Sequence, residues 1–382
     1  MRISLKRLKI KHLLAIAIAT FALVFLGFSR NNDSLAYSRD SQQQRETLLL
    51  AHAHGLEKAI IVDFVDMVIV PTYDRLVGQA AVMKTAIDRF VTNPTPQTLK
   101  SAQVAWLAAR TPWEQSEAFA FGPAESLGYD GDLDDWPVNE TDVAAILKSR
   151  DRFTLEYISN LQTTEKGFHT IEFLLFGTDN NKTVADFSRR ERDLLKLLAE
   201  AFEATSRDLI ASWVDGIDSN PPYREVLITA GDRNNPAYLT QKAALEEIVQ
   251  GMIGCVDEVA NEKIGVPLTD KTTDDLESRF SHSSLSDFKN NLQSVENAYL
   301  GGLPDTRRGM SLSDFIARTD ARLDRQIKQE LNAALEALEA IPDPIEPAIA
   351  DAAALARLTT AQEAILQLFS TMEEKVLPLV RS

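Results

Sequence analysis

Residues 167–177 read Gly-Phe-His-Thr-Ile-Glu-Phe-Leu-Leu-Phe-Gly, an apolar stretch with helical spacing. His169 and Glu172 lie three positions apart, so on a helix they share one face, with Cβ atoms about 5–6 Å apart. An imidazole and a carboxylate in this relation can reach one metal ion. The spacing alone fits a hydrogen-bonded core pair equally well, and it supplies fewer ligands than a catalytic zinc site usually takes.

Helical spacing recurs along most of the chain, and strand-like alternation is nearly absent. The sequence therefore predicts an all-α protein of two packed antiparallel helical bundles. Asn220-Pro221-Pro222 is the predicted boundary, with an N-terminal bundle at residues 45–218 and a C-terminal bundle at 223–382. Their similar lengths allow a duplicated pair, although no repeat in the sequence proves one.

Turn residues indicate where several helices begin and end. Thr95 is a predicted N-cap with Pro96 at the first helical position. We expect that helix to run to about residue 109 and to kink or restart at Pro112. Residues 122–138 contain several glycines and prolines, so we expect a long irregular loop, and such loops are usually functional.

The first 36 residues have the layout of an export segment. Five basic residues precede an apolar run at 13–28. This run is short for a membrane span, and residues 34–36 offer a cleavage site, so residues 1–36 are a signal peptide or an N-terminal membrane anchor. Cys255 is the only cysteine, which excludes an intrachain disulfide and fits a bacterial periplasm.

The charge of the remaining chain is strongly acidic. The whole chain carries −16 and residues 1–36 carry +5, which leaves −21 for the rest. A surface of this sign repels nucleic acid, so we expect no nucleic-acid partner. The charge suits a cationic ligand, although solubility alone explains it equally well.

Several segments resemble the imelysin family, also called the insulin-cleaving metalloproteinase or iron-regulated protein A family. Gly167-x-His169-x-x-Glu172 matches its Gly-x-His-x-x-Glu motif, and WLAARTPWEQSEAFAFGP at 106–123 is similar to its Trp-x-x-x-Arg-x-Pro-Trp-x-x-Ser-Glu block. Asp-Trp-Pro at 135–137, DEVANEKIGVPL at 257–268 and ESRFSHSSLSDFKNN at 277–291 resemble further blocks. The similarity spans roughly residues 45–380 and is greatest to the iron-regulated protein A branch.

The resemblance implies a two-domain, all-helical periplasmic or membrane-associated protein linked to iron uptake, with its site where the domains meet. His169 is the first candidate metal ligand. Glu172 is a ligand or the orienting partner of His169, and ligation is favoured. Glu117 is the candidate third ligand, and the alternative is a surface or helix-capping role.

Further residues are candidates for support of this cleft. Arg110 can hold a carboxylate by a bidentate pair or be a solvated residue at a helix end. Trp113 is expected to anchor the loop by packing, and Asp135 to cap or buttress it. Ser278 and Arg279 can complete the cleft from the second half, and Gly167 begins the motif.

Three functions follow from this site. The first, which we favour, is a metal-binding protein of iron uptake in the periplasm or on the periplasmic face of the cytoplasmic membrane. Its ligand would be a metal cation, iron before zinc, and its partner a component of an inner-membrane iron transporter. The second is a zinc-dependent peptidase, which needs a third ligand and a general base that the sequence does not identify. The third is a membrane-tethered helical scaffold.

Overall fold

The computed structural model describes residues 55–346, 349 and 351–382. The predicted signal peptide or anchor at residues 1–36 lies outside this range. Helices account for the regular structure of the described residues, which contain no β-strand, only an isolated antiparallel bridge between Ile217 and Asn220. The all-α prediction is therefore confirmed. None of the described helices is both long and apolar enough to cross a membrane.

The described residues all belong to one compact unit, and the division into two bundles at residues 219–222 stays a prediction. Helical residues 55–64 continue through a π-helical turn, Val65–Ile69, into α1. The helices before residue 219 are α1 Val70–Thr92, α2 Pro96–Glu114, α3 Pro123–Ser126, α4 Tyr129–Asp134, α5 Glu140–Lys148, α6 Leu155–Ser159, α7 Gly167–Phe176 and α8 Arg189–Val214. Short 3₁₀ turns occur at Glu117–Phe119, Thr163–Glu165 and Val184–Asp186.

The helices after residue 222 are α9 Tyr223–Ile228, α10 Gln241–Asp257, α11 Gly265–Asp270, α12 Ser284–Leu300, α13 Leu312–Thr319, α14 Ala321–Glu339, α15 Ala352–Thr371 and α16 Leu377–Arg381. Two further π-helical turns, Glu258–Ile264 and Met372–Val376, continue α10 and α15.

The apolar faces of these helices bury one continuous core. α1 packs against α2 and α8, and α14 packs against α15. α12 packs against α2, and α10 packs against the Glu117–Phe119 turn, so helices from both parts of the sequence share contacts. Trp106 of α2 and Phe168 of α7 are fully buried in edge-to-face contact, with ring centroids 6.0 Å apart. Burial of each such ring contributes about 1.5–3 kcal/mol.

The two ends of α2 can be compared with the predicted N-cap and the predicted end of this helix. The Thr95 side chain accepts a hydrogen bond from the Thr98 N–H at 3.2 Å, so the predicted cap is confirmed. The predicted end near residue 109 is wrong, because α2 continues through Pro112 to Glu114. Proline removes one helical hydrogen bond, but the side chains that this last turn buries stabilise it. Residues 122–138 also differ from the predicted irregular loop, because α3 and α4 lie within them.

Gly167 allows α7 to begin directly against the end of α4. Its φ is +76°, and a Cβ at this position would lie 2.5 Å from the Leu133 carbonyl oxygen. Residues other than glycine rarely adopt this backbone conformation. A Cβ atom also does not approach a carbonyl oxygen so closely. The glycine of the motif therefore sets how near His169 stands to Asp134.

We expect Gly167→Ala to destabilise the fold by at least about 1–2 kcal/mol because of backbone strain alone. The clash of the added Cβ with the Leu133 carbonyl oxygen adds to this cost. Gly78→Ala is the matched control, because Gly78 lies inside α1 with no atom within 4 Å of its added Cβ. That substitution should leave stability unchanged or raise it by up to about 1 kcal/mol. Urea unfolding of both variants measures the difference, and equal midpoints would contradict the argument.

Candidate functional site

A buried guanidinium lies at the centre of a group of carboxylates. The Arg110 side chain comes from the last turns of α2 and is 1% exposed. It contacts the carboxylates of Glu114 and Asp134 directly. Its Nη2 lies 3.1 Å from Oε1 of Glu277 and 3.4 Å from Oδ2 of Asp287. One positive charge therefore faces four negative groups drawn from α2, α4, the segment before α12, and α12.

Lys263 brings a second buried cation to the same group. Its Nζ lies 2.9 Å from Oε1 of Glu277 and 3.1 Å from Oδ1 of Asn291. Oε2 of Glu114 lies 3.8 Å away. The lysine comes from the π-helical turn after α10, and the widened turn is a common feature of functional sites.

His169 joins this group from α7 and is 1% exposed. Its Nδ1 lies 3.1 Å from Oε2 of Glu172. Its Nε2 lies 3.1 Å from Oδ1 of Asp134, an ion-pair distance, but makes no well-aligned hydrogen bond. Oε1 of Glu172 accepts hydrogen bonds from the N–H and Oγ of Ser281 at 2.7 and 2.8 Å. Glu172 is 0% exposed and both its oxygens are engaged, so it holds the imidazole in one orientation.

The carboxylates of the site differ in their protonation. Burial raises the pKa of Glu114 well above its usual value, and the nearby Arg110 only partly offsets this. Burial likewise raises the pKa of Asp287 to about 7. Burial would also raise the pKa of Asp134, but Arg110 and His169 outweigh it and the pKa is lowered. Burial therefore favours the protonated form of Glu114, whereas Asp134 stays ionised.

The acidic neighbours have the opposite effect on the imidazole. Burial alone would lower the pKa of His169, but the nearby Asp134 carboxylate and the hydrogen bond with Glu172 raise it to about 9. The imidazole therefore carries a proton at neutral pH in the metal-free protein.

Three sets of side chains place ligand atoms within 4.8 Å of one another in the described part of the chain. They are Asp134, His169 and Glu277; Glu114, Glu277 and Asp287; and Glu114, Glu117 and Asp134. Glu114, Asp134 and Glu277 each belong to two sets, so these sets form one connected cluster. All three sets have the oxygen or nitrogen chemistry that suits zinc, iron or manganese.

The predicted ligands occupy different parts of this cluster. His169 belongs to one set, with Asp134 and Glu277, and Glu172 bonds the other side of the His169 ring and accepts from Ser281. Glu117 shares a set with Glu114 and Asp134 but not with His169 or Glu172, so the predicted trio does not meet at one point. Burial raises the pKa of Glu117 well above its usual value.

Some of the predicted supporting residues contact the cluster and others lie outside it. Trp113 is buried and its Nε1 donates to Oδ2 of Asp134 at 2.5 Å. Asp135 accepts a hydrogen bond from Thr163, which matches the buttress expected of it. Ser278 donates to Asp287, inside the cluster.

Arg279 lies outside the cluster. It pairs with Glu140 and stacks on the ring of Phe280, 4.3 Å from its centroid. It therefore contacts neither the imidazole of His169 nor the carboxylates that surround Arg110.

Several central residues were not selected from the sequence: Asp134, Lys263, Glu277, Asp287 and Asn291. All but Asp134 lie within the blocks at 257–268 and 277–291, so a search of those blocks for buried charges could have found them. Asp134 was missed because its neighbour Asp135 carries the Asp-Trp-Pro pattern.

The chain is similar in sequence and structure to several known proteins. The family model described as Imelysin matches residues 69–372. The iron-regulated protein A of Synechococcus elongatus is 36% identical over 337 residues, 87% of this chain and 90% of that protein. A crystal structure from Parabacteroides distasonis, described as a candidate iron-regulated protein A precursor, has a TM-score of 0.76 at 28% identity. It covers 86% of this chain and 95% of its own.

An imelysin-like protein from Psychrobacter arcticum has a TM-score of 0.68 at 14% identity and supports the fold alone. Its match covers 86% of this chain and 96% of that protein. Fold and site together define an all-helical protein with a buried cluster of carboxylates around one histidine. The chain belongs to the imelysin family.

A serine-rich segment supports Glu172 from behind. Ser281 and Ser283 share a hydrogen bond of 2.8 Å between their hydroxyls, and the N–H of Ser284 donates to Oε1 of Glu346 at 3.0 Å. Oε2 of Glu346 is buried and finds no hydrogen-bond partner among the described residues. Burial raises the pKa of Glu346 to about 7, so the folded protein favours its protonated form.

We expect the parent to lose stability as the pH rises, because Glu346 ionises, and we expect the Glu346→Gln variant not to show this loss. The carboxyl ionises near pH 4.5 in the unfolded chain and near pH 7 in the folded one, so ionisation destabilises the parent increasingly across that window. The variant should gain up to about 3 kcal/mol relative to the parent between pH 5 and pH 8. Denaturant unfolding at each pH measures this gain. Glu363→Gln, at an exposed site on α15, should show no such trend.

Proposed function

We propose that this protein binds a metal cation at the buried cluster and serves iron uptake or homeostasis outside the cytoplasmic membrane. The single observation that carries the proposal is the convergence of Asp134, His169 and Glu277, whose ligand atoms lie within 4.8 Å of one another. The relatives named iron-regulated protein A support the iron-related role.

The residues present fit a metal ion. Nε2 of His169 and Oε2 of Glu277 are buried, and neither makes a well-aligned hydrogen bond in the described structure, although Nε2 lies at ion-pair distance from Asp134. Buried polar atoms are usually paired, so two such atoms in one ligand set indicate that a further group completes the site. His169, Asp134 and Glu277 would hold the ion.

Glu172 acts on the imidazole rather than on the ion in this proposal. A ligating histidine usually bonds a carboxylate through its other ring nitrogen, which fixes the ring and its tautomer. Glu172 has this position, and Ser281 fixes Glu172 in turn. This assignment replaces the expected ligands Glu172 and Glu117 with Asp134 and Glu277. A ligating imidazole is neutral, so His169 would release its proton to solvent when an ion binds.

The donor set favours iron over softer metals. Two carboxylates and one imidazole are hard or intermediate ligands, and the described residues offer no thiolate in the set. The location and partner rest on the sequence. The basic and apolar segments within residues 1–36 support export, and an exported iron-binding protein can deliver its ion to a transporter in the inner membrane.

Peptide hydrolysis is not favoured by this geometry. Both residues of the motif, His169 and Glu172, are buried from solvent. A general base must reach the water or proton on which it acts, and both oxygens of Glu172 are engaged. We therefore propose binding as the function.

Metal titration of single variants tests the site. Parent protein purified without added metal is analysed for its elements, stripped with a chelator and titrated with Fe(II) without oxygen, and with Zn(II), in a calorimeter. We expect about one high-affinity ion per chain. His169→Asn should abolish stoichiometric binding, and Glu172→Gln should weaken it about 10–100-fold, as loss of an orienting partner does.

His282→Asn is the matched control, because His282 lies outside the cluster and asparagine tolerates its φ of +60°. It should bind as the parent does. Parent-like affinity in His169→Asn would contradict the site. Loss of binding in Glu172→Gln as complete as in His169→Asn would instead make Glu172 a ligand.

Lys263 should compete with the bound ion, because its Nζ occupies Glu277 and neighbours Glu114. Lys263→Met removes a buried cation and should destabilise the metal-free protein by about 3–5 kcal/mol. Added metal should then raise the melting temperature of the variant more than that of the parent. Lys263→Arg retains the charge and serves as control. An equal rise in all three proteins would show that the ion and Lys263 do not share carboxylates.

A further inference from the structure

An open acidic cleft of about 1010 Å³ adjoins the buried cluster. Its walls come from α10 and the π-helical turn after it, from the segment around α3 and α4, and from residues 237–238. Ten of its lining side chains are carboxylates, and Lys263 is the single cation in the lining. The lining extends from the buried Glu277 to the exposed Glu125, so the cleft connects the cluster with solvent.

The carboxylates are spread along the cleft. Glu117, Asp134 and Glu277 belong to the sets that can meet at one ion, but the remaining cleft carboxylates belong to none of the sets found in the described chain. Five of them form no ion pair with any described cation: Glu125, Asp130, Glu247, Asp257 and Glu262. One metal ion cannot engage charges so distributed. A ligand with several positive groups at intervals can.

The size of the cleft also exceeds what an ion needs. Six waters at about 30 Å³ each give a hydrated ion roughly 200 Å³, a small part of the space available. The cleft volume lies at the upper end of the ~300–1,000 Å³ typical of small-molecule sites.

The hydrogen-bonding character of the walls restricts the ligand further. Carboxylates only accept hydrogen bonds, while ammonium groups only donate them. Lys263 is already engaged by Glu277 and Asn291. A peptide would bring carbonyl groups that need donors, which this lining scarcely provides. The rings of Phe121, Trp136 and Tyr238 offer apolar and cation-π contacts to an alkyl chain with positive groups.

Glu277 provides a separate indication of a ligand. It is 4% exposed, it lines the cleft, and its Oε2 has no hydrogen-bond partner in the described structure. Leaving a buried charged oxygen unpaired is costly. An ammonium group at the inner end of the cleft would complete its bonding.

We propose that the cleft binds a linear aliphatic polyamine, with one ammonium near Glu277 and others along the carboxylates toward the mouth. The proposal does not rest on the metal function, because it needs only the charges and shape of the cleft. Glu277 is common to the two proposed sites, so an ion and the inner ammonium would exclude each other there.

Calorimetric titration of the metal-free parent with spermidine, in the presence of a chelator and at physiological salt, tests the proposal. We expect saturable binding of about one molecule per chain. The triple variant Glu125→Gln, Asp130→Asn, Glu247→Gln should bind at least about tenfold more weakly. The control triple variant Glu156→Gln, Glu339→Gln, Glu363→Gln changes the same charge at exposed sites outside the cleft and should bind within about twofold of the parent.

His169→Asn should retain spermidine binding, so failure of the metal site and failure of the cleft are distinguishable. Ethylammonium at equal positive charge should give no saturable signal. The proposal is overturned if ethylammonium or Mg²⁺ reproduces the spermidine signal, which would show screening or a general cation site. It is equally overturned if the cleft variant and the control variant bind alike.

Discussion

The buried guanidinium of Arg110 is the interaction on which the arrangement of the site depends. It contacts carboxylates from α2, α4, α12 and the segment before α12, so four parts of the chain meet at one positive charge. Removing charges from water is costly, and their attraction offsets that cost only when each carboxylate finds a partner. The positions of Glu114, Asp134, Glu277 and Asp287 are therefore set together by their common partner.

Two further cations are present because one guanidinium cannot neutralise four carboxylates. Lys263 reaches the side of the cluster near Glu277, and His169 reaches the side near Asp134. Asp287 nevertheless retains a pKa of about 7, since burial outweighs the nearby positive charges. A protein that keeps such an excess of buried carboxylates gives up stability, as functional sites commonly do. A cation that enters the cluster relieves this excess.

The sequence predicted the helical class and placed His169 and Glu172 on one face of a helix, because both follow from spacing within one helix. It favoured Glu172 as a ligand and left its role as the orienting partner of His169 as the alternative. It did not predict that Asp134 would be the partner of His169. Asp134 and Asp135 are adjacent acids, and only the close approach of α4 to Gly167 decides which one faces the imidazole. Spacing also could not show that Glu114, and not Glu117, shares a ligand set with Asp287, because that depends on how α12 packs on α2. Local patterns specify elements, whereas tertiary packing specifies which charges meet.

The cluster joins residues that are distant in the chain. Arg110 and Glu277 are separated by 167 positions, and Glu172 and Ser281 by 109. Such contacts form only when both parts of the sequence are folded and packed together, so binding of the proposed ion would stabilise the packed state by mass action. The buried charges make an incomplete assembly unfavourable, because each unpaired carboxylate remains desolvated without a partner. Binding of the proposed ion and the packing of α2 against α12 would therefore be coupled through the same carboxylates, because the cluster is buried, whichever metal is bound.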